Sequence, residues 1–224
     1  MRSLEDLLTA SSWTRGLTPD QLHRVRATAI VRDYAAESHV CYAGDPANVW
    51  IGVIDGLVRM VSLSPAGKSV TFAAIPTGSW FGEGSVLKRE LRKHSIIAVR
   101  ESRIALLPEA TFFWLLDGSI SFNRFLLTQL NERLGHFMSM LEFDRLLEPD
   151  ARVARSLAAM FNPQLYPGTE RQIEMSQEEL GHIVGASRQR ISQALQVLET
   201  AGLIKVDYRM ITVLDIEGLR RFGG

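Results

Sequence analysis

Arg188, Ser192, Gln196, Gln189 and Gln193 are the side chains of this chain best suited to reading nucleic-acid bases. At roughly 100° per residue they fall on one side of a helix, while Ile191, Ala194, Leu195 and Leu198 fall on another. Arg pairs with the major-groove acceptors of guanine, Gln can be bidentate to adenine, and Ser bonds to either. A face meant only for water would favour Glu and Lys, and no carboxylate lies on this fan. Upstream, Ser176 followed by Glu179 is a capping-box pattern that starts a helix. Leu180, Ile183 and Val184 supply its apolar stripe, Gly185 suits a left-handed exit, and Ser187 is a good N-cap for the second helix.

Met175 to Leu198 therefore reads as helix, tight turn, helix. Ser176, Gln177, Ser187 and Arg190 are the phosphate or positioning candidates, and Arg188, Gln189, Ser192 and Gln193 the base readers, with Gln196 farther along. An ordinary helical hairpin with a solvated face is the plain alternative. The residues that follow weigh against it, because Leu203 to Val206 and Met210 to Leu214 are apolar, branched runs around Asp207, Tyr208 and Arg209, the pattern of a small wing hairpin.

Something must hold these heads in place. From Ser119 to Leu147 no proline and only Gly135 interrupts a helical pattern marked by Phe122, Leu126, Leu130, Phe137, Leu141 and Leu147, and Pro149 ends it. Such a helix spans roughly 40 Å at 1.5 Å per residue, more than a small domain needs to cover itself. The spare apolar seam predicts a dimer, with a long core helix inside one monomer as the alternative. Two-fold symmetry would set two reading helices about 34 Å apart on a pseudo-palindromic site.

Between Val31 and Leu107 short branched or aromatic runs are punctuated by Gly44-Asp45-Pro46, Asp55-Gly56, Pro65-Ala66-Gly67 and Pro76-Thr77-Gly78. Even spacing of turns predicts an antiparallel barrel or roll. Asp55-Gly56 reads as a two-residue hairpin turn between Trp50–Ile54 and Leu57–Leu63. The first 30 residues read as two helices, one with Leu4, Leu7 and Leu8 on one side and one opened by Thr18-Pro19-Asp20, packed on the sheet edge. The expected fold class is α+β, divided as 1–118 for a jelly-roll-like sensor with its N-terminal helices, 119–148 for the dimerisation helix and 149–224 for a winged helix-turn-helix.

Composition bounds the function classes. The 224 residues are 46% hydrophobic, enough for one large or two modest cores. Lys plus Arg and Asp plus Glu both number 25, so no global basic field draws the chain to nucleic acid. Locally, Arg188, Arg190, Lys205 and Arg209 face only Glu199 and Asp207, which predicts a positive patch sufficient for phosphate contact. The single cysteine, Cys41, supplies neither a disulfide nor an iron-sulfur or structural zinc site, and reads as a small buried hydrophobe rather than a redox sensor or haem ligand. No stretch approaches a membrane span and the N-terminus lacks a signal-peptide pattern, so a cytoplasmic protein is expected. An enzyme on a cupin-like roll would need clustered ligands, whereas His23, His39, His94, His136 and His182 are dispersed; no metal or catalytic site is expected.

Roll, long helix and winged head in that order resemble the Crp/Fnr family of bacterial transcription regulators. The resemblance rests on Gly44-Asp45, the run Trp50 to Met60, Phe81-Gly82-Glu83, and Glu178-Glu179-Leu180-Gly181 through Ser187-Arg188 to Leu198-Glu199. In cyclic AMP-binding members a Gly-Glu pair grips the ribose, an Arg followed by Ser or Thr holds the phosphate, and hydroxyls on the central helix meet adenine. By resemblance Gly82 and Glu83 keep the first element. Arg92 keeps part of the second, with its hydroxyl replaced by Lys93 or displaced to Ser95, and Phe137 and Met138 stand at the third. Cyclic AMP in the usual mode is therefore not expected, since each lost polar contact removes about 0.5 to 1.5 kcal/mol. Another cyclic nucleotide, another small effector, and a ligand-free scaffold all stay open. The family commonly has Glu where Gln189 stands and Arg where Gln193 stands, which implies an altered half-site.

The resemblance implies a homodimer on double-stranded DNA, controlled through its roll by a small effector, with RNA polymerase as a further partner. An effector-independent or architectural DNA binder with a degenerate sensor is the alternative.

Overall fold

The computed structural model describes residues 2–63, 69–146, 148–167 and 171–223, so Pro65-Ala66-Gly67 and Leu147 lie outside the described residues. The chain divides into two compact units, Met1–Asn131 and Glu132–Gly224. The first opens with α1 (Leu4–Ala10), a 3₁₀ turn (Ser12–Gly16) and α2 (Pro19–Thr28). Ser3 with Asp6 and Thr18 with Gln21 are capping boxes, and Pro19 takes a first-turn position where its missing N–H costs nothing. Next come β1 (Ile30–Tyr34), β2 (His39–Cys41), β3 (Val49–Asp55), β4 (Leu57–Leu63), β5 (Ser69–Pro76), β6 (Trp80–Phe81) and α3 (Glu83–Leu87). After these follow β7 (Ser95–Ala98), β8 (Ser102–Pro108), α4 (Glu109–Gly118) and α5 (Ile120–Leu146), whose C-terminal half belongs to the second unit.

The strands of the first unit form two antiparallel sheets, β1-β8-β3-β6 and β2-β7-β4-β5. The central strand β3 is buried on both faces, and strand alternation divides its side chains. Ile51 and Val53 join Val58, Ile75, Ile96 and Ile104 in one apolar cluster. Trp50 and Ile54 join Leu7, Leu8, Trp13, Val25, Trp80, Phe112 and Phe122 in the other. Trp50 lies 4.5 Å from Trp80 and 5.2 Å from Trp13 between ring centroids, and the Trp80 indole N–H donates to the Ser11 hydroxyl at 2.8 Å. The N-terminal helices thus cover the face of an interior strand. They do not pack on the sheet edge as the sequence suggested, because Leu7, Leu8 and Trp13 are the apolar lid that Trp50 requires.

A second correction concerns Asp55-Gly56. β3 and β4 belong to different sheets and share no ladder, so the dipeptide is a corner where the chain crosses between sheets, not a hairpin turn. Its amides find other partners: Gly56 N–H donates to the Thr77 hydroxyl at 3.0 Å and Leu57 N–H to the Ser102 hydroxyl at 3.2 Å. Glycine is required there, since φ is +109° and a Cβ would stand 2.8 Å from the Ser102 Cα.

The long helix runs Ile120–Leu146, and its two faces differ from the expected seam. Phe122 and Leu126 are buried in the first unit's own core. The exposed apolar residues are Ile120, Leu127, Leu134 and Leu141, spaced by seven, together with Phe137 and Met138.

The second unit continues with α6 (Pro149–Ala159), β9 (Gln172–Glu174), α7 (Gln177–Val184), α8 (Arg188–Thr200), β10 (Ile204–Asp207), β11 (Met210–Val213) and α9 (Ile216–Arg221). Its core is Ala151, Val153, Ala154 and Leu157 of α6 with Leu180, Ile191, Ala194, Leu195, Leu198, Ile211, Val213 and Leu219. The expected wing hairpin is β10–β11, and β9, which the sequence did not single out, pairs with β11 to make a three-stranded sheet.

Candidate functional site

The two helices of the head form where their local chemistry starts and stops them. The Ser176 hydroxyl accepts from Glu179 N–H while the Glu179 carboxylate accepts from Ser176 N–H, which starts α7. Gly185 ends it at φ +72°, and the Arg152 guanidinium donates to the last carbonyl, that of Val184, at 3.2 Å. The Ser187 hydroxyl then accepts from Arg190 N–H at 3.3 Å and starts α8. Ile191, Ala194, Leu195 and Leu198 are buried, whereas Ser187, Arg188, Gln189, Ser192, Gln193 and Gln196 are exposed on the opposite side. The polar fan is therefore one contiguous outward face of one helix.

A cleft of about 340 Å³ runs beside it, lined by Ser176, Gln177, Glu178 and Arg188 on the helical side and by Asp207, Tyr208 and Arg209 on the wing. Tyr208 at the wing tip is 94% exposed, and Arg209 beside it has φ +55°. An isolated exposed tyrosine has no period or spacing in the sequence to mark it; the fold brings Tyr208 to the same cleft as Arg188 and Gln177.

The electrostatics differ from the simple count of charges. Arg190 is held by Asp150 at 2.7 Å and donates to the Gln193 side-chain oxygen at 3.3 Å. Arg209 meets Glu179 at 3.4 Å, and Lys205 meets Asp207 at 3.2 Å. Asp150 and Glu179 lie far from these cations in sequence, so the four-to-two excess shrinks when the chain folds. Among the described residues, Arg188 is the cation of the four with no acidic partner. Arg190 is half-buried and tied to Asp150, so a phosphate contact by this side chain would compete with that pair.

The roll candidates separate as well. Gly82 (φ +84°) precedes α3, and Glu83, its first residue, is buried. A Cβ on Gly82 would stand 2.6 Å from a guanidinium nitrogen of Arg92, so glycine is what lets the arginine lie against this turn. Arg92 is itself buried, donates to the Val49 carbonyl, and forms no ion pair among the described residues. Burial holds its pKa below the ordinary arginine value. Lys93 points outward and pairs with Glu90 at 3.5 Å, so the structure does not bring it to Gly82, Glu83 and Arg92. Ser95 is buried, but its hydroxyl is used to accept from Ala43 N–H at 2.9 Å. Phe137 and Met138 lie on the exposed face of α5 in the second unit. Cys41 is a half-buried free thiol on β2 whose pKa burial pushes up, the opposite of what a reactive thiolate needs. Among the described residues no cluster of His, Cys, Asp or Glu could hold a metal, and no helix is long and apolar enough to cross a membrane.

Two histidines set a pH dependence. Burial, helped by Lys93, lowers the pKa of His94, and burial, helped by Arg133, lowers that of His136. A depressed histidine binds its proton later when folded than when unfolded, so between the two values the unfolded chain holds more protons and stability rises with pH. The contribution is complete above the unfolded value of about 6.5 and is lost as pH falls through it toward the folded value. We expect the urea midpoint to fall between pH 7 and pH 5, and His136→Gln to flatten part of that fall. An identical slope in the variant would remove His136 from the account.

Comparison with known proteins agrees with this arrangement. Residues 31–119 match the cyclic nucleotide-binding domain and residues 151–222 the Crp-like helix-turn-helix domain. The cAMP-activated global transcriptional regulator Vfr of Pseudomonas aeruginosa is 28% identical over 193 residues, covering 81% of this chain and 88% of Vfr. The structure of FixK2 from Bradyrhizobium japonicum superposes with a TM-score of 0.73 at 20% identity, covering 88% of this chain and 98% of that one. A Crp-family regulator from Thermus thermophilus superposes with a TM-score of 0.60 at 26% identity, over 85% of this chain and 95% of its own. A roll of the cyclic nucleotide-binding type followed by a Crp-like head makes this chain a member of the Crp/Fnr family, a transcription regulator and not an enzyme.

Proposed function

We propose that the protein acts as a homodimer joined through the helix at 119–148, setting two copies of α8 into successive major grooves of a pseudo-palindromic operator. The observation that carries this is the exposed fan of α8, with Arg188, Gln189, Ser192 and Gln193 as base readers and Gln196 beyond them. Ser176, Gln177 and Ser187 sit at helix starts, where backbone amides and hydroxyls favour phosphate. The seam is the stripe Leu127, Leu134 and Leu141 with Leu130 and Phe137 between, the three-and-four spacing of a two-stranded coiled coil. On this reading 1–118 senses, 119–148 joins and 149–224 reads. The work is done in the cytoplasm, and RNA polymerase is the partner through which a bound dimer acts.

The effector is proposed to be a small anion. Arg92 is a buried guanidinium with no direct ion pair among the described residues, with only the more distant Asp45 carboxylate acting on it, and an anionic group would supply a direct partner. Arg92, with Gly82 and Glu83, would take the phosphate and sugar of a cyclic nucleotide, while Lys93 would stay in solvent. Vfr is cAMP-activated. By the family resemblance, Phe137 and Met138 offer hydrocarbon where adenine-binding members offer hydroxyls, which disfavours adenine and leaves the anionic half of the site intact. An effector works only by binding one arrangement of the two heads better than the other.

The test is operator affinity in the presence of cyclic AMP, cyclic GMP and cyclic di-GMP, for wild type and Arg92→Met. At least one is expected to change wild-type affinity by about 5- to 150-fold, and the variant to lose that response. No response from any of them, with operator binding intact, would favour the effector-independent alternative.

A further inference from the structure

The side chains of Asp150, Arg190 and Gln193 form a chain of contacts that ends at a base-reading position. Asp150, in the first turn of α6, accepts from one terminal nitrogen of Arg190 at 2.7 Å, and the other terminal nitrogen donates to the Gln193 oxygen at 3.3 Å. Both members of the ion pair are about a third exposed, at 35% for Arg190 and 28% for Asp150, so the pair is partly shielded, while the contact with Gln193 lies at the surface. A guanidinium has five donors and no acceptor, so the atom of the Gln193 amide that faces it must be the oxygen. The amide nitrogen, with its two hydrogens, is then the end left for a ligand of α8.

This fixes a choice that a free glutamine would leave open. Bidentate recognition of adenine needs an amide that accepts from N6 and donates to N7 together. An amide whose oxygen is turned back along its own helix offers donors alone. In the major groove a G·C pair presents two adjacent acceptors, N7 and O6, whereas an A·T pair puts a donor beside the N7 acceptor. We propose that Asp150 and Arg190 are positioning residues that lock Gln193 as a donor, so that the head prefers a G·C pair over an A·T pair at the position Gln193 reads. The proposal rests on α8 entering the major groove.

The test uses the full-length protein and the duplex it selects from a random library. Each base pair is exchanged in turn and affinity measured by fluorescence anisotropy; Gln193→Ala identifies the pair whose discrimination it abolishes. Wild type is expected to prefer G·C over A·T there by about three- to tenfold, the worth of one good hydrogen bond. Arg190→Met is expected to bring that preference below about twofold or turn it toward A·T, because it removes the donor to the amide oxygen, and Asp150→Ala to weaken the preference by a smaller factor, because it leaves that donor in place but unanchored. Discrimination at the pair read by Arg188 should not change, which a general loosening of the head would not spare. A wild-type preference for A·T at this pair, an unchanged preference in Arg190→Met, or an equal loss at every pair would overturn the proposal while leaving operator binding itself established. Should both variants fail to fold, the wild-type preference decides alone. Selection of no sequence by the wild type would overturn the DNA-reading account beneath it.

Discussion

Arg188→Ala is expected to weaken binding to the selected operator by about 1 to 3 kcal/mol per half-site, with the fold unchanged. The size follows from what the wild-type side chain must give up on binding. Arg190, Arg209 and Lys205 each hold an acidic partner that a phosphate or base would have to displace. Arg188 holds none among the described residues, is exposed on the fan, and lines the cleft between α7, α8 and the wing. A contact with guanine acceptors, as proposed, would therefore not be offset by a broken ion pair. Because the side chain is exposed and covers no core, unfolding free energy should shift by no more than about 0.5 kcal/mol. A gel-shift titration on the selected duplex measures the first quantity and urea unfolding the second. Unchanged operator affinity would remove Arg188 from the base readers.

The other large effect is expected from the paired substitution Leu134→Asp with Leu141→Asp. Both side chains are exposed, at 59% each, so the changes put no charge into either unit's own core. In a two-fold dimer each position occurs once in each copy of the seam, and four carboxylates would enter one apolar interface. Sedimentation should show the wild type at twice the chain mass and the variant at the chain mass. Operator affinity should fall by about 10²- to 10⁴-fold, because the second head then no longer binds as a tethered neighbour of the first. A variant that stays dimeric would place the interface elsewhere.

What could be seen in the sequence was whatever a local period or cap encodes. The buried stripe Ile191, Ala194, Leu195 and Leu198 and the starts at Ser176 and Ser187 needed no distant partner, and they stand as expected. Asp55-Gly56 misled because its backbone chemistry suits a sheet-crossing corner as well as a hairpin; the difference lies in Thr77 and Ser102, which supply the hydrogen bonds from elsewhere in the chain. Phe122 and Leu127 look alike as helix apolar residues, yet the first packs on Trp13 and Trp50 and the second is left exposed. The same non-locality hid the pairing of Arg190 with Asp150, 40 residues earlier, and so overstated the positive patch. β9, three residues long, carries no detectable period of its own. In the roll, Lys93 and Arg92 are adjacent cations in sequence but opposite in environment, because the turn beside Gly82 buries one and leaves the other with Glu90.

The central claim is that a dimer reads DNA with two copies of α8. Selection of duplexes from a fully random library by the purified full-length protein tests it most directly. The account predicts enrichment of an inverted repeat whose half-site centres lie about one helical turn, or roughly 10 base pairs, apart, and loss of that enrichment in Arg188→Ala. Enrichment of a single unrepeated motif, or of none, would contradict it.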